Sequence, residues 1–508
     1  MHDVAISAAP ARAGLREWVG LAVLALPTLL VAVDITALFL ALPHLSADLG
    51  TSGVQQLWIV DIYGFMVAGF VTTMGTLGDR IGRRRLLLVG GAAFGAASVL
   101  AACSTSPAML IAARTVMGVA GATLMPSTLA LITNMFRDGR QRAKAISVWA
   151  TCQFTGGALG PVVGGMLVER FWWGSVFLVA VPVIVLLLVA GPVVLPEYRT
   201  PGAGRLDLAS VALSLLAILP IVYGIKNLAA DDGSLAGPVL AIAVGCAFAA
   251  AFARRQLRLD DPLLNLRLFT RRSFTLVLAA LALAGVAMAG AGLLVTQYLQ
   301  TVLGYPPAQA ALWFAPMGLA VAAGTLLTPA LTRSVAPRTA IAGGLALSTA
   351  GAALLALVHD GPATAVAGVT ILALGTGPLF ALGTTIVVGS VPPEKAGSAA
   401  STSEIANYLG GTLGMAVLGT VAAAIYRHRM EAGVPAGILD QVSGARETVA
   451  GAVAASARLP QADAAAVLHA GHEAFISGLH AVGLIGAALF AGLAAVMAWR
   501  FPSENPSR

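Results

Sequence analysis

Fourteen apolar blocks follow one another along the chain, each near the length of roughly 20 residues that a helix needs to cross a bilayer. They are centred near residues 29, 67, 95, 120, 156, 183, 216, 244, 288, 320, 348, 377, 411 and 487. Polar loops set the pair near 216 and 244 apart from the blocks on either side. The pattern predicts an all-α polytopic membrane protein of fourteen transmembrane helices, arranged as six, an inserted pair, and six more. The expected boundaries are a cytoplasmic N-terminus over 1–17, a first bundle over 18–195 and the inserted helices 7 and 8 over 205–256. A second bundle over 273–500 carries a long outer loop at 427–473, and a cytoplasmic tail covers 501–508. That loop is Ala-rich with scattered charges. It reads either as a short helix or hairpin lying on the outer face, or as solvated chain.

Composition supports the pattern. The 508 residues are 58% hydrophobic and 10% charged, too little charge to cover a soluble protein of this length. The net charge of +7 is distributed by topology rather than gathered into a binding surface. With the N-terminus in the cytoplasm, the inner segments hold 23 of the 30 Lys and Arg residues. The outer segments hold six: Arg170, Lys226, Arg427, Arg429, Arg446 and Arg458, the last four in one long loop that weighs little in the positive-inside rule. An even number of spans with both termini cytoplasmic follows, and nucleic acid is not expected as a partner. Cys103, Cys152 and Cys246 lie too far apart for a metal spacing and read as small apolar side chains. The first span follows Arg12 and Arg16 but is longer than a signal-peptide core, so it reads as a retained helix.

The two halves echo each other. RAKAISVWATCQFTGGALGP, from Arg142, opens the fifth span, and EKAGSAASTSEIANYLGGTLG, from Glu394, opens the thirteenth. Both pass from a basic residue beside Ala through small residues to a Gly-Gly pair. Substrate sites in transporters form where such repeats meet.

One string stands out in the loops. GTLGDRIGRRR, Gly75 to Arg85, joins the second and third spans. Gly75 and Gly82 allow close backbone approach, and Gly82 can take a conformation closed to other residues. Asp79 can sit against a helix N-terminus or a neighbouring guanidinium such as Arg80 or Arg83, fastening two helix ends in one state and releasing them in another. For the arginines alone, anchoring topology is an equal reading. In the fifth span, Gly156, Gly160 and Gly164 recur every four residues on one helix face, where another helix can approach closely, and Gly165 extends the string. Pro161 has no N–H, so the carbonyl of Gly157 loses its helical partner and the helix can bend.

These strings resemble the major facilitator superfamily. GTLGDRIGRRR is similar to its cytoplasmic-gate signature, and LIAARTVMGVAGA, Leu110 to Ala122, is similar to its fourth-helix motif. GGALGPVVGG, Gly156 to Gly165, is similar to the fifth-helix motif that marks exporters rather than importers. VDITALFLALP and QQLWIVDIYGF resemble the fourteen-helix drug:proton antiporters of the QacA and LfrA type. The resemblance implies two six-helix bundles with an inserted pair, no enzymatic activity, and no cofactor, with the proton gradient as driving force. It further implies quaternary ammonium biocides, ethidium-like dyes, acriflavine and fluoroquinolones as substrates, a monomer, and the bacterial cytoplasmic (inner) membrane. An exporter dedicated to self-resistance against one natural product shares every motif and stays open as the alternative.

Of the 23 acidic residues, only Asp34, Asp61 and Glu404 fall clearly within spans. A charge at mid-bilayer costs roughly 2.5–3.5 kcal/mol on insertion scales, so each should face a cavity or a partner. Burial favours the protonated form of a carboxylate, and a neighbouring cation favours the ionised form. Such a group can hold a proton or a cationic ligand in competition, which is what exchange requires. Asp34 and Arg114 both lie about 10 Å below the outer surface at 1.5 Å per residue, and are expected to meet as the proton-coupling pair. Asp61 is expected either to attract substrate or to be exposed at a cavity mouth. Glu404 shares a helix face with Asn407 and Tyr408 and is a candidate for cation capture from the inner side. Tyr63 and Trp58 could stack on an organic cation, with the interfacial aromatic belt as the other reading of Trp58. No His, Cys and acid cluster and no phosphate loop appears, so neither a metal site nor ATP hydrolysis is expected.

Overall fold

The computed structural model describes residues 13–199, 207–228, 235–259, 262, 266–389, 396–434, 438 and 443–500. The helices are α1 (Leu15–Leu49), α2 (Gly53–Ile81), α3 (Arg83–Ala102), α4 (Pro107–Met135), α5 (Gly139–Arg170), α6 (Ser175–Leu178) and α7 (Ala180–Val194). The inserted pair is α8 (Leu208–Leu228) and α9 (Ala236–Arg258). Then come α10 (Arg272–Gln297), α11 (Pro307–Leu331), α12 (Pro337–Leu355), α13 (Ala363–Gly389) and α14 (Ala396–Gly433). Two short helices, α15 (Ser443–Glu447) and α16 (Val449–Ser456), lead into α17 (Gln461–Arg500). All fourteen apolar centres fall within helices. Among the described residues, thirteen helical segments are long and apolar enough to cross a membrane. α5 is not one of them, because glycine and polar residues dilute its apolar content; it nevertheless runs alongside α1.

Local signals set several of these ends. Ser52 caps α2, its Oγ accepting from the Gln55 amide while the Gln55 side chain accepts from the Ser52 amide, which satisfies donors the first turn leaves free. Ser106 caps α4 with Pro107 in the first turn, and Asp138 caps α5. Gly50 ends α1 in the left-handed conformation, at φ 62°. Prolines inside α1, α4, α5, α7, α8, α11 and α13 would break helices in water. In a bundle, neighbouring helices, Ser and Thr side chains or a water-filled cavity can take up the freed backbone groups.

Two large cores form, one from α1 to α7 and one from α10 to α17. A small third core joins Phe65 of α2, Val222 of α8 and Ala416 of α14. The inserted pair therefore lies along the seam where α2 meets α14. Its far member is peripheral, with only 6% of the most apolar stretch of α9 buried. At one end Asp207 receives hydrogen bonds from Arg255 of α9 (2.8 Å) and from Ser210, which clasp the pair. Partial burial works against ionisation there, but those hydrogen bonds hold the Asp207 carboxyl below the usual carboxylate range.

One open reading is decided and one expectation changes. Part of the 427–473 segment is helical and packed, not solvated. α14 runs on to Gly433, α17 begins at Gln461, and Ala445, Val449 and Ala452 between them are buried. The Tyr426 hydroxyl donates to the Ala445 carbonyl at 3.0 Å. Lys226 is not in an outer loop. It lies inside α8 and is wholly buried, because its ammonium has found a carboxylate within the bundle.

Candidate functional site: a central cavity and two buried ion pairs

A cavity of about 330 Å³ lies between the two halves, walled by α1, α2, α4 and α5 on one side and by α10, α11, α13 and α14 on the other. Its surface is largely apolar, with Phe39, Met288, Phe314, Met317, Phe380 and Met415 giving it bulk. Gln153, Thr36, Thr412 and Arg114 supply a few polar points. Volume and lining suit a drug-sized lipophilic ligand. Methionine side chains adapt to ligands of different shape.

Arg114 connects this cavity to Asp34. The guanidinium stands 2.7 Å from the Asp34 carboxylate and also donates through Nε to the Ile59 carbonyl at 3.2 Å. It lies over the Tyr63 ring at 4.7 Å and faces Phe177 at 5.8 Å. The Arg114 side chain is 1% exposed and that of Asp34 5%. The structure thus brings together the two charges that the depth argument paired. Tyr63, which the sequence offered as a stacking platform for substrate, is on the cavity wall, and its ring already holds Arg114.

Asp61 is not at a cavity mouth. It forms a second ion pair, at 2.9 Å, with Lys226 of α8, and both side chains are 0% exposed. Trp58, one turn earlier on α2, stands with its ring 4.4 Å from the same ammonium and so faces α8. α2 therefore supplies an aromatic face to each of the two buried cations. Glu404, Asn407 and Tyr408 fall within α14, but their side chains lie outside the described residues.

The string between α2 and α3 forms a compact joint. Asp79 pairs with Arg83 across one helical turn at 2.7 Å, while Arg80 is exposed. Gly82 sits between the two helices at φ 114°, a conformation that strains any side chain, and a Cβ there would meet the Glu197 carboxylate at 2.5 Å. That carboxylate, just past α7, accepts from the amides of Arg84 (3.0 Å) and Arg85 (3.3 Å), where the start of α3 favours negative charge. The Arg83 amide donates to the Tyr198 carbonyl at 2.9 Å. The joint thus ties α2, α3 and the chain after α7 together. Gly75 packs on Pro126 of α4.

The glycine stripe of α5 lies on α1. A Cβ on Gly156 would meet the Leu29 carbonyl at 2.5 Å, one on Gly160 would fall on Thr36, and one on Gly164 would stand 2.8 Å from Ala37. Gly165 faces the other half instead, against Pro307 at the start of α11. Gly157 and Pro161 turn to the cavity, and a Cβ on Gly157 would meet no neighbouring element within 4 Å.

Sequence reasoning missed two partners. Lys226 carried a signal, since it is one of three lysines and sits at the end of an apolar block while Asp61 lacked a cation. Glu197 carried a weaker one, as an acid directly after a span, on the side of the basic string.

Comparison with known proteins agrees with this architecture. The Major Facilitator Superfamily model matches residues 24–415. The chain is 43% identical to the multidrug efflux pump LfrA of Mycolicibacterium smegmatis, over 96% of each chain. It is 34% identical to the methyl viologen resistance protein SmvA of Salmonella typhimurium, over 95% of this chain and 98% of that one. A solved structure of a bacterial homologue of the human lysosomal transporter Spinster, inward-facing and unoccupied, aligns with a TM-score of 0.65 at 18% identity, covering 95% of this chain and 98% of that one. At that identity the likeness speaks for the fold alone. With the family model spanning both halves and relatives matching nearly end to end, the chain belongs to the Major Facilitator Superfamily and is a multi-pass membrane transporter, not an enzyme.

Proposed function

We propose that the chain is a proton-coupled antiporter of the bacterial cytoplasmic membrane, with both termini inside, that exports lipophilic and mainly cationic compounds. Quaternary ammonium biocides, ethidium-like dyes, acriflavine and fluoroquinolones are the compounds it would take. The observation that carries this reading is the Asp34–Arg114 pair, buried yet adjoining an apolar cavity through Arg114. A proton arriving at Asp34 discharges the carboxylate and frees the guanidinium. The loss of that proton restores the pair. The cavity offers a cation an aromatic and thioether surface and a lipophilic body an apolar one. The names of LfrA and SmvA support the substrate class, as a multidrug efflux pump and a methyl viologen resistance protein.

The energetics limit stoichiometry. Carrying one positive charge outward against 100 mV costs about 2.3 kcal/mol, and one entering proton returns the same amount. One-for-one exchange of a monovalent cation is then electrically silent and is driven by the pH difference alone. Everted membrane vesicles should accumulate ethidium when a pH gradient is imposed and stop when it is collapsed with the voltage kept. Accumulation that ignores the pH gradient contradicts the antiport reading.

The joint around Asp79 serves in this reading as the cytoplasmic gate, with Gly75, Arg80, Gly82 and Arg83 as its other parts. Asp79→Asn removes the charge that holds Arg83, so turnover is expected to slow several-fold while equilibrium binding of ethidium stays at its wild-type value. Dye fluorescence measures the affinity and vesicle transport measures the rate. An altered affinity with an unaltered rate contradicts the gate.

A further inference from the structure

α2 carries its acid one helical turn beyond an aromatic residue, and α8 brings a single ammonium to both. The Lys226 nitrogen stands 2.9 Å from the Asp61 carboxylate and 4.4 Å from the Trp58 ring. Among the described residues, neither charged group has a further hydrogen-bond partner. Neither lines the central cavity, whereas Arg114 of the first pair does. Among the described residues, the other helices packed on α2 offer Asp61 no other cation. On α4 the one charged residue is Arg114, already held by Asp34. α3 is charged only in its first turn, at Arg83, Arg84 and Arg85. The ionisable groups of α1 are Arg16, Glu17, Asp34, His44 and Asp48, of which Asp34 is taken. The stretch of α14 from Leu409 to Ala423 has no titratable side chain.

The geometry points to Lys226 as a built-in counter-cation for Asp61: the pair carries no net charge and takes Asp61 out of cation and proton exchange, leaving Asp34 as the exchanging acid of the first seven helices. This rests on the antiport reading and refines it. Two like-looking intramembrane acids acquire different roles from what stands beside them. Asp34 has a partner that a ligand can reach from the cavity. The partner of Asp61 is sealed between two helices, and separating the charges would leave each of them bare in a medium of low dielectric. The same contact gives the inserted helix pair a part in transport, since α8 supplies the charge that silences a carboxylate on α2.

The test is charge complementation in the full-length purified protein, with ethidium as cationic probe, a neutral lipophilic dye as control, and proton release on ethidium binding as second readout. Asp61→Asn leaves a bare ammonium in the bundle, so ethidium should bind about tenfold more weakly, about 1.4 kcal/mol, with the neutral dye unaffected. Adding Lys226→Met should restore ethidium binding to near wild type and keep the wild-type number of protons released. Should the single variant fail to fold, comparison of the double variant with wild type decides. A double variant that binds ethidium as weakly as Asp61→Asn, or releases fewer protons than wild type, makes Asp61 a direct exchanger and overturns the counter-cation. Wild type that releases no proton on binding ethidium overturns the antiport reading itself, a distinct result.

Discussion

Everted vesicles carrying Asp34→Asn should show no ethidium accumulation under an imposed pH gradient, although the protein still inserts. Asparagine can accept a hydrogen bond from Arg114, but it cannot alternate between a charged and a neutral form. Removing one partner of a buried pair also leaves the other charge uncompensated, at a cost of about 3–5 kcal/mol. Arg114 is 1% exposed and, among the described residues, is left with the Ile59 carbonyl and the Tyr63 and Phe177 rings but no compensating charge. Reduced stability and lost coupling would therefore arrive together. Asp34→Asn combined with Arg114→Gln separates them, since replacing a buried pair with neutral groups is often close to neutral for stability. The double variant should melt near wild type in detergent and still fail to export. Undiminished ethidium export by Asp34→Asn alone would exclude this acid from the exchange.

The second large effect concerns the contact between α1 and α5. Gly160→Leu should both lower the melting temperature and stop efflux, while Gly157→Ala, three residues away, should leave both near wild type. The difference lies in what each glycine faces. A Cβ on Gly160 would fall on the Thr36 side chain and stand 2.9 Å from the Val33 carbonyl. A rotamer change can move a hydroxyl, but backbone of the neighbouring helix can yield only if the helices part. Overpacking costs about 1–3 kcal/mol and occasionally more. Here it would also displace the helix that carries Asp34. Gly157 looks into open space. If Gly160→Leu melts and transports as wild type does, the stripe is not an interface.

The sequence was most informative where one physical constraint acts alone. Apolar block length announces a span, because a helix facing lipid needs about 20 predominantly apolar residues to cross it. The pairing of Asp34 with Arg114 was legible for the same reason: a lone charge in such a block must find its opposite, and only one cation lay at the same depth. The α5 stripe could be read from the four-residue period of its glycines, and the structure sets three of them on α1. Asp61 was not legible. Its partner comes from a helix more than 150 positions onward, and Lys226 stands so near the end of its block that it counted as a loop cation. The short helices α15 and α16 were among the readings left open, but their packing was not legible, because alanine is equally at home in an exposed helix and in a packed one.

Pro161 has one more consequence. Because it has no amide hydrogen, the oxygen of Gly157 goes without its usual helical donor at a point where both residues border the central chamber. A peptide oxygen carries a fixed dipole that neither pH nor a bound proton can switch off. It can accept from a guest's hydroxyl or N–H group, or lie against an onium centre, whatever the state of the carboxylates. In the proposed antiporter, uncharged guests would thus have a foothold in the same chamber where ions are exchanged, which is one physical route to breadth of cargo.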